Sequence, residues 1–241
     1  MARGFKCKQF FVAHDLCAMK VSTDSLILGS WASTNGALQV LDVGCGSGIL
    51  SLMMCQRSAQ DAQILAIDVD LHAVEQTQIN ASNSRWANRI DVRHCEFAAL
   101  THPQLADTII CNPPYFTNTN VGNAEHLTQS VSRQTARHQG SLSSQDLFFH
   151  AARLSSSKTC LSCLYPTPQR ETVLTHARQY GWHLSRELMV FNHRGARSHV
   201  SAFEFSRQAV TATKETLIIK NEQNAYTDEY KALCKDFYLA F

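Results

Sequence analysis

Short apolar runs recur along the chain, each closed by a turn or a glycine cluster, with enough residues between them to form a helix. Gln39–Val43 ends at glycines and predicts a buried strand. Ile64–Asp68, Ile90–His94 and Asp107–Cys111 predict three more, and Thr159–Tyr165, stopped by Pro166 and Pro168, predicts a fifth. Ile49–Arg57 reads as a helix. Leu71–Ser82 has helical spacing, with Leu71, Val74 and Gln78 interleaved with polar positions. Ser143–Leu154 predicts a helix with a serine cap, and Arg170–Tyr180 one ended by Gly181. Leu184–Phe191 and His199–Phe205 predict two antiparallel strands joined by a connection containing Gly195. Residues 224–241 predict a short amphipathic, aromatic helix or tail. Asn112–Leu142 has no periodicity and predicts a long working loop.

Strands alternating with helices specify βαβ units and a parallel sheet. The expectation is an α/β fold: a doubly wound, Rossmann-like, seven-stranded, mostly parallel sheet with a closing antiparallel hairpin. Ligands of such sheets bind outside the carboxyl ends of the strands, where the winding reverses. The motifs described below all follow a predicted strand.

Composition narrows the class. The 241 residues are 44% hydrophobic and 17% charged, a globular balance. Charges run through the first twenty residues, so they predict no signal peptide, and no apolar stretch approaches membrane length. Nine cysteines, odd in number and evenly spread, argue against a disulfide framework and for a reducing, cytoplasmic setting. Cys160-x-x-Cys163 stands alone inside a predicted strand and reads as core cysteines rather than a metal site; no metal is expected. The net charge of +2 hides an asymmetry. Residues 61–125 carry three Lys/Arg against eight Asp/Glu, and residues 126–220 carry twelve against five. Ordinary surface scatter produces such blocks, and so does an anionic partner such as nucleic acid.

Four motifs carry candidate chemistry. Asp42-Val43-Gly44-Cys45-Gly46-Ser47-Gly48 places glycines at alternate positions, so the backbone turns sharply and a ligand can approach it. The third glycine falls one residue early for a dinucleotide fingerprint, and Asp42 suits an ammonium group better than a pyrophosphate. The ligand read from the loop is an amino-acid-bearing nucleoside. Asp68 ends the second predicted strand, where a carboxylate accepts from both ribose hydroxyls, leaving Asp70 to cap the next helix. Glu96 and Phe97 follow the third strand and suit an adenine edge. Asn112-Pro113-Pro114-Tyr115-Phe116 follows the fourth. Its prolines remove two donors and leave outward carbonyls. The Asn112 side-chain oxygen and the Pro113 carbonyl can both accept from one amino group, and Tyr115 offers a face for a planar ring. Two acceptors on an aromatic amine restore and aim its delocalised lone pair without a strong base.

In this order and spacing, Asp42–Gly48, Asp68, Glu96 and Asn112–Tyr115 resemble the class I S-adenosylmethionine-dependent methyltransferases with an NPPY motif. Phe5–Asp15, Cys17–Asp24 and Leu28–Trp31, with Ala136-Arg137-His138 and Phe237-Tyr238-Leu239, resemble the bacterial tRNA(Val) adenine-N6 methyltransferase family over essentially the whole chain. The resemblance implies methyl transfer from S-adenosylmethionine to the exocyclic N6 of an adenosine next to the tRNA anticodon, A37. It implies that Gly44, Gly46 and Gly48 line the methionine part of the cofactor with Asp42 nearby. Thr23 and Asp24 would lie near the methionine end, Asp68 at the ribose, and Glu96 and Phe97 at the adenine. Asn112 and Pro113 would grip the amine, with Tyr115 and Phe116 against the flipped base. Arg133, Arg137 and His138 are candidate phosphate contacts. Residues 1–35 would form a cofactor-covering segment, 36–220 the methyltransferase domain and 221–241 a C-terminal tail, in one compact unit expected to be a monomer or weak dimer. The rival expectations are a methyltransferase acting on a protein glutamine amide or another base, an NAD-dependent oxidoreductase opposed by the early glycine, and an RNA-binding protein without chemistry.

Overall fold

The architecture is that of a computed structural model, which describes residues 3–17, 19–34, 36–101, 105–114 and 142–241. The chain opens with a small antiparallel hairpin, β1 (Gly4–Lys6) and β2 (Phe11–Ala13), and a helix, α1 (Thr23–Trp31). Then β3 (Gln39–Val43), α2 (Ile49–Arg57), β4 (Gln63–Asp68), α3 (Leu71–Ser82), β5 (Ile90–His94) and β6 (Ala106–Cys111) alternate as the pattern predicts. They are followed by α4 (Ser144–Arg153), β7 (Ser155–Pro166), α5 (Arg170–Gln179), β8 (His183–His193), β9 (Val200–Ser206), β10 (Thr213–Lys220) and α6 (Asp228–Cys234).

The main sheet has eight strands in the order β10-β8-β9-β7-β6-β3-β4-β5, one more than the sequence predicted. The added strand is β10, which pairs parallel with β8 at the edge. Its first residues, Thr213–Thr216, are largely exposed and polar, so only Leu217 and Ile219 carry a buried alternation, too short to announce a strand. The hairpin is present: β9 runs antiparallel to both β8 and β7. From β3 the chain winds outward through β4 and β5, then returns to place β6 on the other side of β3. The reversal point is therefore the crevice between the carboxyl ends of β3 and β6.

Helices cover both faces. On one, α1, α2 and α6 enclose Leu26, Leu28, Leu52, Met53, Tyr230 and Phe237. On the other, α4 and α5 bury Leu147, Phe148, Val173 and Trp182 against Phe203 and Phe205. α1 escaped prediction because Ser25–Trp31 are all buried, so it has no polar face to set a period. Gly29 lets it approach α2, since a Cβ there would stand 2.5 Å from Met53 Sδ. The tail is a closing element: Tyr230 stacks on Tyr226 at 4.9 Å, and Tyr238 on Phe241 at 4.8 Å. It also joins the opening hairpin, with Lys8 N–H donating to the Phe237 carbonyl at 2.9 Å.

One helix face differs from its reading. On α3, Leu71 is exposed and Gln78 faces out, while Ala73, Val74, Gln76, Thr77, Asn80 and Ala81 are buried. The inward face is polar because it is spent on backbone groups of the glycine loop and the N-terminal segment.

Candidate active site

The glycine loop joins β3 to α2 at the reversal point. Gly44, Gly46 and Gly48 have φ of +72°, +56° and +76°, the left-handed region that side chains with a Cβ disfavour. A Cβ on Gly44 or Gly46 would meet nothing within 4 Å, so the loop leaves open space beside its own backbone. Gly48 differs: a Cβ there would stand 2.8 Å from Thr77 Cγ2.

Three carboxylates surround this cradle. Asp42 is fully buried beneath it, accepting from Ser51 Oγ at 2.6 Å through Oδ2, while its Oδ1 is buried without a partner. Burial pushes its carboxyl up to about 7, with Asp68 adding to the rise and Ser51 opposing it. Asp68, at the end of β4, accepts from Gly46 N–H at 2.9 Å and from Asp70 N–H at 2.9 Å. Burial raises its pKa too, against those two donors. Each of its oxygens keeps a further lone pair, enough for a vicinal diol. Asp70 caps α3, accepting from His72 N–H at 2.9 Å, as the sequence assigns it.

The polar face of α3 builds the cradle from behind, and the sequence reading missed it. Thr77 Oγ1 donates to the Gly46 carbonyl at 2.8 Å. Asn80 Nδ2 donates to the Ser47 and Ala13 carbonyls, both at 2.8 Å, while its Oδ1 accepts from Ala13 N–H at 2.9 Å. Gln76 Oε1 accepts from Leu16 N–H at 3.0 Å. Gln76, Thr77 and Asn80 recur at one helical face, and three polar residues so placed were the available signal.

Asn112 and Pro113 follow β6 on the adjoining strand. Because Val43 pairs with Cys111, Gly44 and Asn112 leave neighbouring strand ends side by side, roughly 5 Å apart by ordinary strand spacing. Asn112 is half-buried and Pro113 buried. The other expected residues sit further out. Glu96 is exposed after β5, while Phe97 is buried with its ring edge-on to His150 at 5.7 Å. Thr23 and Asp24 form the first turn of α1, where Asp24 Oδ1 lies 4.0 Å from His199 Nε2 at the start of β9. Tyr115, Phe116, Arg133, Arg137 and His138 lie outside the described residues. Cys163 is buried and Cys160 half-buried in β7, both with thiols pushed up by burial.

This arrangement has known counterparts. The family model for the methyltransferase small domain matches residues 16–143. An Agrobacterium tumefaciens protein described as a predicted O-methyltransferase superposes with a TM-score of 0.67 over 89% of this chain and 96% of its own, at 14% identity. Sheet order, glycine cradle and strand-end carboxylate define a class I S-adenosylmethionine-dependent methyltransferase. A Tolumonas auensis protein named tRNA1(Val) (adenine(37)-N6)-methyltransferase is 38% identical across 98% of this chain and 97% of its own. A Phocaeicola vulgatus protein of the same name is 37% identical across 98% and 97%. The chain belongs to the tRNA1(Val) (adenine(37)-N6)-methyltransferase family.

The residues fit the cofactor of that class. The open space at Gly44 and Gly46 admits a ligand against main chain, and Asp68 stands ready for a ribose diol. Asp68 at the cradle disfavours a pyrophosphate there.

Proposed function

We propose that the protein methylates the exocyclic N6 of adenosine 37 in the anticodon loop of tRNA(Val). S-Adenosylmethionine supplies an electrophilic methyl on a sulfonium. The chain's own residues supply position. Gly44, Gly46 and Gly48 line the methionine part with Asp42 beneath, and Thr23 and Asp24 near its end. Asp68 holds the ribose, and Glu96 and Phe97 flank the adenine. The Asn112 oxygen and the Pro113 carbonyl accept the two amino protons of the target and so aim its lone pair, a matter of placement rather than strong base. Tyr115 and Phe116 stack on the base, which must leave its neighbours, and an anticodon loop releases a base at little cost. Arg133, Arg137 and His138 meet the backbone.

The observation that supports the reading is the register of β3 and β6, which sets Asn112 and Pro113 next to the glycine loop. The full-length match to adenine-N6 enzymes of tRNA names the amine. Residues 1–35 cover the cofactor, a role supported by the grip of Asn80 on Ala13. Residues 36–220 form the catalytic domain and 221–241 its closing tail, in a protein acting as a monomer or weak dimer. Among the described residues no helix is long and apolar enough to cross a membrane.

The test is incubation with methyl-labelled cofactor and either total tRNA or release factors, followed by mass spectrometry of tRNA nucleosides. Label in N6-methyladenosine at position 37 is expected. Label in protein glutamine, or none in RNA, overturns the reading.

A further inference from the structure

Part of the basic surplus of the second half of the chain sits at one place, the tip that joins β8 to β9. Four of that half's five acidic residues are consumed in ion pairs: Glu187 and Glu171 with Arg170, and Glu204 and Glu215 with Arg186. The pairing leaves Arg194 and Arg197 uncompensated on the tip that joins β8 to β9. Both are exposed, and among the described residues neither finds a carboxylate. Lys220 ends β10 directly beside them, in register with His193.

Topology decides where this tip points. β9 runs antiparallel to β7, so its start, and the tip before it, lie at the carboxyl end of β7 and hence of β6. The tip therefore shares an edge of the sheet with Asn112. Only β7 separates β9 from β6, a lateral offset of about 10 Å by ordinary strand spacing. Because Cys111, Cys163 and Phe203 are in register, the tip projects outward past the level of Cys111 by more than three residues, over about 10 Å. The base of the tip is fixed: Thr167 Oγ1 and Ser198 Oγ are 2.8 Å apart, and Thr167 N–H donates to the His199 carbonyl at 3.1 Å. Gly195, with φ of +79°, lies in the turn between the two arginines. Across the crevice, the carboxyl end of β4 and the cap of α3 carry Asp68 and Asp70. Asp68 and Asp70 thus lie on the β4 side of Asn112 and the two arginines on the β9 side, where Asp24 Oδ1 also lies 4.0 Å from His199 Nε2.

We propose that the β8–β9 tip, through Arg194 and Arg197 with Lys220 beside them, binds phosphodiesters of the RNA strand flanking the target nucleotide. The proposal rests on the RNA reading above. Two exposed guanidiniums at one end of a hairpin suit phosphate oxygens, to which arginine donates in pairs. Such contacts position the RNA without reading its sequence.

The test measures binding of an in vitro-transcribed tRNA(Val) at a series of salt concentrations. Arg194→Ala/Arg197→Ala is compared with Lys158→Ala/Lys214→Ala, which removes equal charge from exposed positions near the opposite strand ends. Melting curves check that both pairs fold. Loss of two phosphate contacts lowers the slope of log K against log salt by about 1.4–1.8. That drop, with weaker binding, is expected for the arginine pair and not for the lysine pair. An unchanged slope in the arginine pair overturns the proposal, as does an equal drop in the lysine pair, which would mean bulk charge only. If the wild-type protein methylates no tRNA, the RNA reading itself falls and takes the tip with it. If it methylates tRNA while the arginine variant keeps the wild-type slope, the tip alone falls.

Discussion

Asn80 holds Ala13 by both of that residue's backbone groups, accepting from its N–H at 2.9 Å and donating to its carbonyl at 2.8 Å. The same amide also donates to Ser47 in the glycine loop. One side chain on α3 therefore ties the N-terminal segment to the cofactor cradle, across 67 residues of sequence.

Asn80→Ala breaks three buried hydrogen bonds and leaves Ala13 and Ser47 groups short of partners. At about 1 kcal/mol net per bond, the loss is roughly 3 kcal/mol, readable in urea denaturation. Because the tie joins segment to cradle, S-adenosylmethionine should bind more weakly and protease should cut residues 7–21 sooner. A variant that melts lower yet binds cofactor normally would show that the tie serves stability alone.

Two glycines of one loop should answer alanine differently. Gly46→Ala places a methyl in the open cradle, so its folding cost is the left-handed backbone strain of ~1–2 kcal/mol. Its main effect should be loss of cofactor affinity by titration calorimetry. Gly48→Ala meets Thr77 at 2.8 Å as well and should lose a further ~1–3 kcal/mol of stability. Adding Thr77→Ser, which removes the colliding methyl, should recover part of that second loss and none of the first.

Asp42 links stability to pH. Its carboxyl titrates near 3.8 when unfolded and at about 7 when folded, with burial the main cause. Between those values the folded protein keeps a proton that the unfolded chain has released. Its contribution is therefore full below about pH 4, falls as pH rises by ~1.4 kcal/mol per unit, and is gone above about pH 7. Asp42→Asn retains an acceptor for Ser51 and removes the titration. The stability of wild type minus variant should decline between pH 4 and 7, and a flat difference would falsify the buried, proton-holding carboxyl.

The sequence made legible those parts of the candidate site whose chemistry is local. Glycines at alternate positions and Asn112-Pro113 identify themselves because backbone turns and acceptors are properties of a few adjacent residues. Asp68 and Asp70 could be told apart because one ends a strand and the other precedes a helix. What stayed hidden depends on partners distant in sequence. Gln76 and Asn80 look like solvent residues until Leu16, Ala13 and Ser47 are placed over them. α1 is buried on nearly every side and so lacks a periodic signature. The β8–β9 tip acquires a meaning only from strand order, which puts β9 two places from β6.

Asn112 gives the sharpest test of the chemistry. Its strand-end position comes from β6, while the proposed cofactor contacts come from the loop after β3 and from Asp68 at the end of β4, so the two functions should be separable. Asn112→Ala should keep S-adenosylmethionine affinity within about twofold and lower kcat by 10²–10³, roughly 3–4 kcal/mol, the usual cost of one lost preorganised contact to a reacting group. Asn112→Asp keeps an acceptor at the same place and should retain more activity than alanine. It cannot match wild type, because a carboxylate beside the amine adds charge where a neutral dipole stood. The order wild type, Asp, Ala in kcat, at nearly constant cofactor affinity, identifies an acceptor that aims the amine. Equal losses in Asp and Ala would mean that shape or the amide N–H matters instead, and normal turnover in Ala would remove Asn112 from the chemistry altogether.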